Sequence, residues 1–149
     1  MVVTAASVLA GCAAEDLDTR TDAMARGTVA SAQSYLNDAA SLAAEIRAFS
    51  ATLAEAGDTI TPAEARGMAP ALTQRAERAR SLCIRMGAQR LDDSRLERQR
   101  TAVVAPLNRV CTSMETIARL ATQGNVRVMA QRIQDLPAQI DEVRSQGAS

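Results

Sequence analysis

The stretch Val126-Arg127-Val128-Met129-Ala130-Gln131-Arg132-Ile133-Gln134-Asp135-Leu136-Pro137-Ala138-Gln139-Ile140-Asp141-Glu142-Val143 decides the fold. Its apolar residues, Val126, Met129, Ile133, Leu136, Ile140 and Val143, recur at alternating steps of three and four. That is the period of one face of an α-helix, with arginines, glutamines and acids on the other face. Pro137 sits within the stripe, where it removes one backbone donor and predicts a disturbed final turn.

Three more stripes of the same kind lie upstream. The first runs Met24, Thr28, Ala32, Tyr35, Ala39, Leu42, Ile46, Phe49, Leu53 and Ala56, and stops at Gly57-Asp58. The second opens at Thr61-Pro62-Ala63-Glu64, where the threonine suits an N-cap, the proline the first helical position and the glutamate the reciprocal bond of a capping box. Its apolar face is Leu72, Ala76, Ala79, Cys83 and Met86, with Pro70 predicting a kink or restart and Gly87 its end. Asp92-Asp93-Ser94 followed by Glu97 predicts a second capping box with Ser94 as the cap. The third stripe then carries Leu96, Val103, Leu107, Val110, Met114, Ile117 and Ala121, with Pro106 predicting a kink. Gly124-Asn125 is a turn signal.

No segment alternates with the period of two that marks a strand. Four stripes joined by short connections predict an all-α fold, an antiparallel up-down four-helix bundle with kinked helices. The alternative is three long helices, with the last two fused through Gly124.

Composition narrows the chemistry. Apolar residues make up 47% of the chain and aromatics only 1%, namely Tyr35 and Phe49, so alanine, leucine, valine, isoleucine and methionine must build the core. The many alanines predict close helix approach and little room for a ligand cavity. All 17 basic residues are arginine. Histidine is absent, which removes the commonest general base and zinc ligand. Lysine is absent too, which excludes Schiff-base chemistry and a P-loop. Asp92 and Asp93 read as capping and dipole compensation before a helix rather than as an acid/base pair. No catalytic residue, metal site or cofactor is expected, and the chain is read as non-enzymatic. Zero formal net charge argues against nucleic acid as a partner.

At the other end, Val2 to Gly11 is a short apolar run closed by Leu9-Ala10-Gly11-Cys12. It resembles the lipobox of bacterial lipoprotein signal peptides. The resemblance covers about a dozen residues and concerns how the protein is held, not what it does. It implies a signal peptide over residues 1–11, lipidation of Cys12, and a protein anchored to a membrane of the cell envelope, facing the periplasm or the cell exterior. Ala13, in place of the aspartate associated with inner-membrane retention, favours an outer membrane where one exists. The basic n-region of such signals is missing, since the first positive charge is Arg20. Either the start lies upstream of Met1, or this is an ordinary apolar N-terminus with Cys12 as a small hydrophobe. On the first reading, residues 12–26 are a tether and the start of the first helix, 27–144 the helical bundle, and 145–149 a frayed polar tail.

Removing Cys12 by lipidation leaves Cys83 and Cys111, which an oxidising envelope would join. Helix signals oppose that bond. With a plain hairpin turning near Asp92, the two cysteines lie roughly 15 Å apart along the axis at 1.5 Å per residue, and a disulfide needs Cα atoms within about 7 Å. The bond therefore predicts an irregular segment between Gly87 and Pro106.

One surface feature points to a partner. Arg75, Arg78 and Arg85 fall on one side of the second helix, and Arg95 and Arg98 continue the basic surface. The plainer reading is a solvated face with helical pairs such as Glu77–Arg80 and Glu97–Arg100. The sharper one is a face for an anionic envelope component or an acidic envelope protein. The functional expectation is thus a lipid-anchored envelope protein presenting a helical surface to another envelope component. A second expectation is a small-ligand or lipid carrier using the bundle interior, with Met68, Met86, Met114 and Met129 as an adaptable lining. A third is a phage-derived or immunity lipoprotein.

Overall fold

A computed structural model describes residues 29, 30 and 32–148. The lipobox, Cys12, the tether, and Met24 and Thr28 of the first stripe lie outside the described residues.

Among the described residues four helices follow in order: α1 (Ala32–Ala54), α2 (Pro62–Ala88), α3 (Ser94–Gln123) and α4 (Val126–Ala148). They pack against one another as an all-α four-helix bundle. The main seams join consecutive helices, α1 to α2, α2 to α3 and α3 to α4. Buried along them are Leu42, Phe49 and Leu53 of α1, Leu72 and Met86 of α2, Val110, Met114 and Ile117 of α3, and Met129 and Leu136 of α4. Alanines do bring the first three helices close: Ala65, Ala69, Ala76 and Ala79 of α2 and Ala118 and Ala121 of α3 are buried.

Local signals set the ends. Thr61 Oγ1 accepts from the Glu64 N–H and Glu64 Oε1 accepts from the Thr61 N–H, the full capping box. Gly57 adopts φ 74°, a left-handed conformation that glycine reaches without a Cβ clash. Gly124 adopts φ 69° and, with Asn125, donates back to the carbonyls of Ala121 and Leu120. This cap separates α3 from α4, so three long helices is not the architecture. A Cβ on Gly124 would also stand 2.6 Å from Nη2 of Arg66, whose guanidinium lies across the turn.

Some expected boundaries move. Pro70, Pro106 and Pro137 lie inside helices that neither stop nor restart. α2 runs through Gly87 to Ala88. The cap of α3 is Asp93, whose carboxylate accepts from the Leu96 N–H at 2.9 Å; Ser94 is already the first helical residue. α4 continues through the segment expected to fray, because Gln99 Nε2 donates to the Gly147 carbonyl at 3.1 Å and ties the last turn to α3.

The larger departure is the α2–α3 connection. It is not a tight reversal but an extended segment, and Arg90–Leu91 pairs in parallel with Val29–Ala30 as two-residue strands β2 and β1. Extended chain advances about 3.3 Å per residue against 1.5 Å in a helix. The extended residues carry the chain on past α2's end before it bends back at Asp92-Asp93 into α3. Cys111 stands about 25 Å into α3 and Cys83 about 7 Å before α2's end, so the overhang absorbs the roughly 18 Å mismatch. The Cys83 and Cys111 sulfurs lie at disulfide distance, with Cα atoms 7.0 Å apart. The irregular segment that such a bond requires is this one.

α4 is the least covered helix. Met129 and Leu136 are its fully buried residues, while Ile133, Ile140 and Val143 are partly open. Leu136→Ala should therefore destabilise by roughly 2–5 kcal/mol in urea unfolding, and Ile133→Ala by clearly less. Equal effects would mean that the outer side of α4 is covered.

Candidate functional site

The five arginines do not form one basic face. Arg75 donates to Glu45 Oε1 at 3.0 Å, with Arg78 3.9 Å from the same carboxylate. Arg85 grips Asp38 through Nε and Nη2, at 3.0 and 2.9 Å, and Gln89 Nε2 adds a third bond to Asp38. These three arginines stitch α2 to α1. Arg95 and Arg98 have no ion pair among the described residues; with Gln99 and Gln146 they line a polar hollow of about 380 Å³ where α3 begins and α4 ends.

The helical pairs also differ from expectation. Arg80 turns from Glu77 to Glu115 on α3, donating to both carboxylate oxygens at 3.1 and 2.8 Å and to Thr112 at 2.8 Å. Glu97 and Arg100 do pair, but as a joint rather than as a solvated face. Arg100 is buried, and its Nη1 donates to the Met86 and Gly87 carbonyls at the end of α2. Its Nε and Nη2 hold Glu97, and Glu97 Oε1 accepts from the Leu91 N–H at 2.8 Å. One salt bridge thereby satisfies two of the orphan carbonyls at the end of one helix and pins the extended connection to the next.

The α1–α4 side is different. α1 and α4 are each seamed to an inner neighbour but not to each other, and a cleft of about 360 Å³ opens between them. Its α1 wall is Tyr35, Ala39, Leu42, Ala43 and Ile46; its α4 wall is Ile140, Val143 and Gly147. Met86 and α3's Val103, Leu107 and Val110 form the floor. Alanines thus have opposite effects on the two sides of α1. Where α2 approaches they allow close packing, and where no helix approaches Ala39 and Ala43 leave space. The expectation of little cavity room fails for this reason. Of the methionines expected to line an interior, only Met86 does so; Met114 and Met129 are core.

The lining contains two charges, Arg47 and Arg144, and no carboxylate. Arg144 is held by Asp141 at 2.9 Å, with both side chains widely exposed. Arg47 has no ion pair among the described residues. Burial pushes the Tyr35 phenol above its ordinary range.

Among the described residues no cluster of histidine, cysteine or acidic side chains can hold a metal ion, and no helix is long and apolar enough to cross a membrane. Comparison with protein-family models, curated proteins and solved structures finds no match to this chain. Sequence reasoning missed the cleft because helical periodicity marks which residues face inward, not whether a neighbour arrives to meet them.

The joint gives a pH signature. Hydrogen bonds from Arg100 hold the Glu97 carboxyl at about 2, below its ordinary 4.5, with the Leu91 N–H and Arg90 adding to the effect. A carboxylate lowered in the folded state contributes stability above its unfolded value and loses it as pH falls toward the folded one. Melting temperature should drop between pH 4.5 and about 2 in the wild type. Glu97→Gln should be less stable at neutral pH and flatter across that interval; parallel curves would show that the pair carries no stability.

Proposed function

We propose that this chain is a non-enzymatic, lipid-anchored protein of the cell envelope whose bundle takes an apolar ligand in the α1–α4 cleft. The cleft is the observation that carries the reading. It is open, lined by aliphatic side chains on three helices, and of a size at which pockets bind small molecules. The absence of histidine and lysine from the sequence supports a binding role over a catalytic one. The anchor rests on the lipobox resemblance at Cys12.

Presentation of a surface to another envelope component keeps a narrower basis: Arg95 and Arg98, which have no ion pair among the described residues, beside Gln99 and Gln146. Arg75, Arg78 and Arg85 are already engaged by Glu45 and Asp38, so an acidic partner there would have to displace bonded carboxylates.

Two measurements test the halves separately. Radiolabelled fatty acid fed to cells should enter the wild type and not Cys12→Ser; an unlabelled wild type in the soluble fraction would remove the anchor. The uncharged fluorophore N-phenylnaphthylamine should bind the purified protein at one site and brighten. Ala43→Phe, which puts a ring into the cleft, should abolish that signal while keeping the helical circular dichroism. Undiminished binding by the folded variant would place the ligand elsewhere.

A further inference from the structure

We infer that the occupant of the α1–α4 cleft is a single-chain fatty acid, its carboxylate bound by Arg47 and its chain lying toward Tyr35. The inference rests on the ligand-binding reading above and adds the ligand's chemistry to it.

Charge is the first argument. A purely apolar guest needs no cation at the cleft, and a cationic guest would be repelled from it. The lining offers Arg47 and Arg144 and no acid. Arg47 stands in the second half of α1, and every residue within four positions of it on that helix except Glu45 is uncharged. Glu45 itself is turned to Arg75 and Arg78 on α2. Among the described residues no acid pairs with Arg47, whose guanidinium stands at the edge of an apolar surface. A carboxylate is its geometric complement, since two parallel N–H donors meet two oxygens.

Shape is the second argument. From Arg47 to Tyr35 the α1 wall extends roughly 18 Å at 1.5 Å per residue, the reach of a medium to long acyl chain. Ala39 and Ala43 keep that wall low along its length, and the floor of Leu107 and Val110 is closed to solvent. On the α1 wall between Arg47 and Tyr35 the lining residues are Ile46, Ala43, Leu42 and Ala39, all aliphatic, and the lining's other charge, Arg144 of α4, is held by Asp141. One straight chain with one charged end matches that order of groups. A second copy of this chain would have to bring its own carboxylate to Arg47, and the segment before residue 29 would have to place an acid such as Asp16 or Asp22 there.

The test is a calorimetric titration of the full chain with decanoate, dodecanoate and tetradecanoate below their micelle concentrations, with tetradecan-1-ol as the uncharged control. Binding at one site should tighten about fourfold per added methylene, the value of burying each one. Arg47→Gln should weaken tetradecanoate about tenfold or more and leave the alcohol unchanged. Equal affinity of acid and alcohol, or an unaffected Arg47→Gln, would overturn the carboxylate assignment while leaving the apolar cleft standing. Binding of the fluorophore without binding of any acid would likewise sink the inference alone. Failure of acid, alcohol and fluorophore together would take the cleft reading with it. A concentration-dependent dimer that Ala43→Phe dissociates would assign the cleft to a second copy and overturn the fatty-acid occupant.

Discussion

The salt bridge between Glu97 and Arg100 is the constraint on which the rest of the bundle depends. Arg100 is buried at the place where α2 ends, and a buried guanidinium is tolerated only when its donors and its charge are answered. Here the Met86 and Gly87 carbonyls take one arm and the Glu97 carboxylate takes the others. Because Glu97 also holds the Leu91 amide, the connection is fastened in an extended form instead of turning back at once. The register of α2 against α3 is a consequence: α3 starts well beyond α2's end, and Cys83 comes to face Cys111. Reduced thiols at these positions would each find an acceptor on the facing helix, Cys83 at the Leu107 carbonyl and Cys111 at that of Ala79.

That register shapes the cleft. α2 ends at Ala88, with Gly87 beside Val104, so the first turns of α3 run on past it and Val103 at that level joins the floor of the cleft. Each flanking helix is tied inward by polar bonds: Arg75 and Arg85 bind α1's carboxylates, and Arg109 with Ser113 binds α4's Glu142 and Gln139. Among the described residues no salt bridge joins α1 to α4. The gap between them is the difference between two sets of satisfied seams, and a ligand that filled it would complete the bundle's apolar interior. On the proposed anchoring, such a guest would be held close to a membrane.

Much of this was legible in the residues. Four helices carrying the apolar stripes, the first of them from Ala32 to Leu53, the Thr61–Glu64 capping box and the Gly124-Asn125 break appear among the described residues, because each is a local signal with a local cause. The Ser94 cap was off by one, since two adjacent acids and a serine compete for the same role and only packing decides among them. The cysteine pairing was ambiguous for a physical reason. Helix rise fixes distances within a helix, but the length of a connection along the axis depends on whether it is coiled or extended, and that is decided by a buried arginine. Arg100 in sequence is one of nine arginines between Arg66 and itself, with nothing to mark it as buried. The cleft was illegible for a similar reason: Ala39 and Ala43 carry the same letter whether a helix meets them or not.

The register of α2 against α3 is most directly measured by oxidising the purified, reduced chain with a mild oxidant and mapping its peptides without reduction, for the wild type and for Arg100→Met. In the wild type a peptide joining Cys83 to Cys111 should form rapidly and nearly completely, without denaturant. In Arg100→Met, still helical but without the guanidinium that binds the end of α2, the same crosslink should form more slowly and less completely. Two free thiols in the oxidised wild type, or crosslinks equally fast in both proteins, would contradict the dependence of the bundle's register on the Glu97–Arg100 joint.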